Sequence, residues 1–291
     1  MTTGSNNVNL SDIYKAVMSA DDFKKLSTFI YREYGIKMPE VKKTMLQSRL
    51  HKRLRELGMT SYKDYVDYLF SKEGQNSEII HMIDMVSTNK TDFFREPVHF
   101  DFLHSNVLPE LLFSDKPNRF IKIWSAGCSS GEEPYTIAMS LSEFAISNPG
   151  CVFDYNIFAT DISTRMLKTA AEAIYKEARV DMLPLNLKKR YLLRSKDRTA
   201  PTVRIVPELR SKVSFQRLNF MDPHYSTADN FDIVFCRNVL IYFDRDTQEK
   251  VINRLCTKLK AGGIFFLGHS ESITNFNVPL KQIKPTIFRK I

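Results

Sequence analysis

Arg95, Glu133, Asp161, Asn219, Arg237 and Asn238 are the side chains here whose types and positions suit chemistry on a bound cofactor. Asp161 closes the stretch NIFATD, and a carboxylate at a strand tip can accept two hydrogen bonds from a vicinal diol such as a ribose. Glu133 lies in the first turn of a helix that follows SAGCSSG, Ser125–Gly131, where small residues let a ligand approach the backbone. Two acids around one crevice suit a cationic amine or sulfonium and suit pyrophosphate poorly. The loop is also not the GxGxxG of a dinucleotide site, so S-adenosylmethionine is favoured over NAD. Asn219 and Asn238 each offer amide donors and a carbonyl acceptor, which can read an adenine edge, and Arg237 precedes Asn238. Arg95 could hold an incoming carboxylate bidentately. Each residue also has an ordinary reading: GCSSG as a tight turn, Asp161 as a helix cap, Glu133 as a dipole partner, Arg95 as a salt bridge.

The elements that must position these groups follow from the pattern. Phe120–Trp124, Phe153–Ala159, Val213–Leu218, Phe231–Phe235 and Gly263–Leu267 read as strands. Pro97–Leu112, Glu132–Ala145, Thr164–Tyr175 and Thr247–Leu259 read as helices between them, with a last extended segment Thr286–Arg289. Strands alternating with helices predict a parallel sheet covered on both faces, with polar groups gathered at the strand carboxyl ends. Val180–Lys212 interrupts the alternation; RYLLRS and TVRIVPEL predict short antiparallel strands, a β insertion of about 180–212. Before residue 87 the chain reads as all-helical (19–86). Ser19 with Asp22 opens a first helix closed by Gly35, and a second runs from about Glu40 to Leu57. Thr60 and Ser77 are predicted to cap a third and a fourth. Residues 1–18 are expected to be a frayed tail, and 87–96, STNKTDFFRE, a linker that carries Phe93 and Phe94 inward.

The 291 residues are 43% apolar and 26% charged, ordinary for a globular protein with one large and one smaller domain. No apolar run approaches the ~20 residues of a bilayer span, and MTTGSNNVNLSD lacks the basic and apolar regions of a signal peptide. Cys128, Cys151, Cys236 and Cys256 lack metal-type spacing and are expected as reduced thiols in the cytoplasm. The six histidines are scattered, and no metal is expected. The net charge of +9 points to an acidic partner. Its best source in the sequence is the second helix, where Lys42, Arg49, Lys52 and Arg53 share an arc beside a leucine stripe. Acids are absent between Val41 and Arg55, which predicts an unneutralised docking face.

Read in order, TNKTDFFRE (88–96), SAGCSSGEEPY (125–135), ATDIS (159–163), LNF (218–220), FCRNVLIYFD (235–244) and KLKAGGIFFLGHSE (258–271) resemble the chemotaxis receptor methyltransferases, the CheR family. The resemblance runs from about residue 20 onward. It implies an α/β fold: a class I S-adenosylmethionine-dependent methyltransferase (Rossmann-like) domain, 97–291, with a small antiparallel β insertion, preceded by an all-α N-terminal domain. It implies a protein-glutamate O-methyltransferase acting on the cytoplasmic methylation helices of transmembrane chemoreceptors, monomeric, without nucleic acid or membrane insertion. By position, Asn89, Thr91, Arg95, Glu133, Asp161, Asn219, Phe220, Arg237 and Asn238 would surround the cofactor, with Arg95 and Tyr242 nearest the methyl. Ser125 departs from the acid that usually ends the first strand. The insertion loop SKDRTAP (195–201) lacks the glycine-rich turn of members that bind a receptor tail.

Two other functions compete. A nucleic-acid methyltransferase would suit the basic charge, but CRNVLIY stands where amino-methylating enzymes carry [DNS]PP[YFW], and no basic–aromatic interleaving supports base stacking. A non-catalytic adaptor that senses the cofactor would be favoured by loss of Arg95, Asp161 or Asn238, and all are present.

Overall fold

The computed structural model describes residues 15–113 and 119–291 and divides into two compact units, Met1–Thr88 and Asn89–Ile291. In the first, α1 (Ala20–Tyr34) opens on a reciprocal capping box between Ser19 and Asp22 and closes at Gly35 with φ +69°. Helix α2 (Lys43–Leu57) is entered through a 3-10 turn and ends at Gly58. Helix α3 (Tyr62–Phe70) takes its cap from Ser61 rather than Thr60, and α4 (Lys72–Val86) from Ser71 rather than Ser77. Ser77 lies inside α4 and its hydroxyl donates to the Glu73 carbonyl. Gly74, inside α4, marks a close approach: a Cβ there would lie 2.0 Å from the Tyr68 carbonyl oxygen. Leu26, Ile30, Leu46, Leu50, Leu54, Tyr65, Leu69 and Ile83 fill the core. The expected tail ends earlier than residue 18, because Met18 is fully buried and its N–H donates to Gln47 Oε1 at 2.9 Å. Residues 1–14 of that tail lie outside the described residues.

The second unit holds a seven-stranded sheet, ordered β6-β2-β1-β7-β8-β10-β9. Its strands are β1 (Arg119–Ala126), β2 (Phe153–Asp161), β6 (Val213–Arg217), β7 (Phe231–Cys236), β8 (Leu259–Leu267), β9 (Leu280–Lys284) and β10 (Ile287–Lys290). The first five pair in parallel, and β10 runs antiparallel to both its neighbours. This is the class I methyltransferase order that the resemblance implies. The succession of strands runs outward one way from β1 through β2 to β6 and the other way from β7 to β8, so the crevice outside the carboxyl ends of β1 and β7 is the expected ligand site. β7 is buried at every position, as a strand covered on both faces must be.

Helix Thr164–Glu172 stops three residues earlier than predicted, at Ala173 with φ +55°. Ile174–Lys176 is instead β3 of a second sheet, ordered β3-β5-β4 with β4 (Leu192–Arg194) and β5 (Thr202–Ile205). The insertion therefore begins near 174 rather than 180, because Tyr175 turns inward, against the Phe93 ring. Strand β9 was not anticipated from the sequence.

Candidate active site

The loop after β1 is shaped by two residues in the left-handed region. Gly127 has φ +92°, and a Cβ there would lie 2.3 Å from Val239 Cγ2, so this turn and the loop after β7 are pressed together. Ser129 has φ +49°, which turns its N–H onto Asp161 Oδ2 at 2.8 Å. Asp161 Oδ1 accepts from the Ser163 N–H at 2.9 Å. The cap of helix Thr164–Glu172 is Ser163, not Asp161, which leaves the carboxylate at the tip of β2 facing the loop. The Ser129 hydroxyl donates to the Asn89 carbonyl at 3.0 Å and ties the 89–96 loop to the crevice. Leu218 N–H reaches the Asp161 carbonyl, bringing Asn219 and Phe220 to the same end of the sheet.

Glu133 stands beside the end of β1. Ser125 Oγ donates to its Oε1 at 2.6 Å, and Arg237 Nη1 to its Oε2 at 3.1 Å. Burial pushes this carboxyl up, while the guanidinium and the serine hydroxyl oppose the rise. Arg237 is buried over the Phe100 ring and also reaches Glu96 Oε2 at 3.0 Å and the Arg95 carbonyl. Its guanidinium thus bridges two of the protein's own acids. Asn238, at φ +59°, donates from Nδ2 to Glu96 Oε1 at 3.2 Å. Glu96 is partly buried, which works against its charge. The Arg237 charge and the N–H groups of His269 and Asn238 nevertheless hold it below the usual carboxylate range.

Two acids central to this arrangement escaped the sequence reading. Glu96 is one. Glu271 is the other: its buried carboxylate accepts the N–H groups of Asn238, Val239, Leu240 and Gly268 at 2.7–2.9 Å. It fixes the turn that carries Arg237 and leads to Tyr242. The available signal was GHSE, an acid just after a strand end.

Arg95 is half-buried, and its Nη1 donates to the Lys90 carbonyl at 2.8 Å. Thr91 is buried, its carbonyl taken by Arg179, which also holds Asp92 and Glu132. Asn219 Oδ1 accepts the Met221 N–H at 3.1 Å. Phe220 is buried edge-on to Tyr225 and Phe243. Tyr242 is half-buried on the 3-10 turn Leu240–Tyr242. Hydrogen bonds link Asn89, Ser129 and Asp161 on one side and Glu133, Arg237, Arg95 and Asn238 on the other. Asn219, Phe220 and Tyr242 stand on the neighbouring loops.

The donor set fits S-adenosylmethionine. Asp161 at the strand tip suits a ribose diol, the Ser125–Glu133 pair suits an ammonium, and the glycine and αL serine keep the loop backbone open to a ligand.

The basic helix α2 requires correction. Arg53 is largely buried and holds Glu78 of α4 at 2.6 Å, with Glu56 on its other side. Arg49 donates to the carbonyls of Val86 and Ser87 and to Thr88 Oγ1. Lys52 is exposed, 3.8 Å from Glu56. Arg53 and Arg49 are thus committed inside the unit, the first to acids and the second to carbonyls and the Thr88 hydroxyl, while Lys52 stays exposed and Lys42 reaches the Lys37 carbonyl. The β insertion carries more of the charge: residues 174–212 hold eleven Lys and Arg against four Asp and Glu.

The histidines, scattered in sequence, are not all scattered in space. Among the described residues Glu96, His99 and His269 bring one ligand atom each within 4.8 Å of one another. His99 is buried, and burial with the Arg237 charge nearby lowers its imidazole to about 4. No helix among the described residues is long and apolar enough to cross a membrane.

Comparison with known proteins agrees with this geometry. Residues 89–288 match the family described as CheR methyltransferase, SAM binding domain, and residues 21–87 the CheR methyltransferase all-alpha domain. A Borreliella burgdorferi protein named chemotaxis protein methyltransferase is 40% identical, over 100% of both chains. Chemotaxis protein methyltransferase 2 of Pseudomonas aeruginosa is 36% identical over 92% of each chain. The Escherichia coli chemotaxis protein methyltransferase is 34% identical, over 94% of this chain and 91% of that one. With two family domains in register over the helical unit and the cofactor sheet, this chain belongs to the CheR methyltransferases and is built to bind S-adenosylmethionine.

Proposed function

We propose that the chain methylates glutamate side chains on the cytoplasmic methylation helices of transmembrane chemoreceptors, working as a cytoplasmic monomer. The names of its relatives support the receptor as substrate class. The observation that carries the glutamate is Arg95. Its carbonyl is held by Arg237, while its guanidinium is bonded to a backbone oxygen of its own loop. A guanidinium so placed can exchange that oxygen for a carboxylate and orient it bidentately.

When bound, S-adenosylmethionine supplies an electrophilic methyl group on a sulfonium. Asp161 would hold the ribose, and Glu133 with Ser125 the amino acid end; Asn219 and Phe220 would line the adenine side. Arg95 would aim the receptor carboxylate and Tyr242 would steer it through its hydroxyl. A surface glutamate is already ionised at pH 7, so no general base is required, and orientation carries the catalysis.

The test is incubation with methyl-labelled S-adenosylmethionine and candidate receptors, followed by assay for base-labile label. Arg95→Ala should abolish transfer while cofactor affinity falls far less. Near-normal turnover in that variant would remove the clamp role, and base-stable label would remove the ester.

A further inference from the structure

The geometry points to a binding site for one zinc-class divalent cation, formed by Glu96, His99 and His269 beside the cofactor crevice. His99 Nδ1 lies 3.5 Å from Glu96 Oε2, and His269 Nε2 lies 4.0 Å from the same oxygen. Around a tetrahedral zinc with bonds of about 2.0–2.1 Å, neighbouring ligand atoms stand roughly 3.4 Å apart. The first separation matches that spacing. The second closes with a small rotation of His269, whose side chain is 52% exposed and able to move.

The buried imidazole gives the independent sign. Thr286 Oγ1 lies 2.8 Å from His99 Nε2 and holds the ring by that edge. Nδ1, on the opposite edge, is buried and without a hydrogen-bond partner. It faces the Glu96 carboxylate at 3.5 Å, so a neutral ring presenting its Nδ1 lone pair and the carboxylate oxygen would be two donors aimed at one cation. Outer partners of the kind that orient metal ligands are already in place. Thr286 fixes the His99 ring, and Asn238 with the His269 N–H holds the other oxygen of Glu96. A cleft lined by His99, Asp101, Ser105, His269 and Thr286 supplies the path in.

Arg237 shares Glu96 Oε2, which opposes a cation, but Glu133 also faces that guanidinium. Two carboxylates against one guanidinium leave a negative balance for the ion. Two imidazoles and one carboxylate favour zinc or cobalt over magnesium or calcium, with a fourth position for water. Methyl transfer needs no such ion, so the site would tune the Glu96–Arg237 pair rather than supply chemistry.

The full chain, stripped with chelator, would be titrated with Co²⁺ and then Zn²⁺. One equivalent of cobalt should give the visible absorption of a four-coordinate ion without a thiolate charge-transfer band, and zinc should displace it. His269→Ala, at an exposed position, should weaken binding at least ~10-fold with the apo melting temperature unchanged. Absence of stoichiometric binding at micromolar zinc overturns the site. So does binding that survives His269→Ala but is lost in Cys151→Ser.

Discussion

The Ser125 hydroxyl donates to Glu133 Oε1 at 2.6 Å, so the end of β1 and the first turn of the next helix act as one acidic unit. In the proposed cofactor site Glu133 would stand in for the acid that the resemblance places at the strand end, with the serine orienting it. Ser125→Ala should therefore weaken cofactor binding about fivefold, the worth of one ~1 kcal/mol hydrogen bond. Glu133→Gln should cost more, because it removes the negative charge. Calorimetric titration with S-adenosylhomocysteine would read both, and unchanged affinity in each would separate the pair from the cofactor.

Arg237 stands between Glu96 and Glu133, its side chain 2% exposed. Arg237→Ala would leave two partly buried carboxylates facing each other with no cation, a loss of about 3–5 kcal/mol for a broken buried pair. Urea denaturation should show the lowered midpoint. A variant as stable as the parent would mean that water repairs the gap.

Acid should destabilise the protein partly through His99. Its imidazole titrates at about 4 in the folded chain against an ordinary 6.5. Between those values the unfolded chain takes up a proton that the folded one refuses, so stability falls as pH drops through that range. Glu133 and Glu271, raised by burial, act the other way just above the ordinary carboxylate range, where the folded state binds the protons. His99→Gln isolates the imidazole's share: melting temperatures of the variant should decline less steeply from pH 6.5 to 4 than those of the parent. Parallel curves would assign the acid sensitivity elsewhere.

Charge reversal on α2 should divide by position. Arg53→Glu sets a third acid beside Glu78 and Glu56 and should unfold the helical unit at lower temperature. Lys52→Glu, at an exposed site, should leave the melting point alone and lower receptor methylation without changing cofactor affinity. Equal methylation by Lys52→Glu and its parent would move the docking surface elsewhere, the basic insertion being the next place to test.

The cofactor side of the molecule was legible because the carboxyl-terminal half of each strand there is apolar and then gives way to small or polar residues. Trp124 gives way to Ser125, Ala159 to Thr160 and Asp161, and Cys236 to Arg237. What stayed hidden is held by partners remote in sequence. Glu96 depends on Arg237, Asn238 and His269, and Arg53 on an acid of another helix. Strand β3 has three residues, too few for a two-residue period to show beside a helix. Ser71 and Ser77 are equally good cap residues by type, and only the fold shows that Ser71 accepts the Gly74 N–H where backbone crosses backbone. The role of Glu271 needed the turns themselves, since its partners are main-chain N–H groups that any residue offers.

Arg95 combines a fixed base with a movable arm. Its main chain is pinned by a buried guanidinium, and its own guanidinium rests on the carbonyl of Lys90, five positions back. Turning to a substrate carboxylate would cost that partly exposed bond, about 1 kcal/mol, and return a charge-assisted pair worth more. In the proposed clamp role, selection at this position would work like a latch with a shallow catch: neutral side chains, which return no more than the carbonyl already gives, would leave it shut, and an anion would open it.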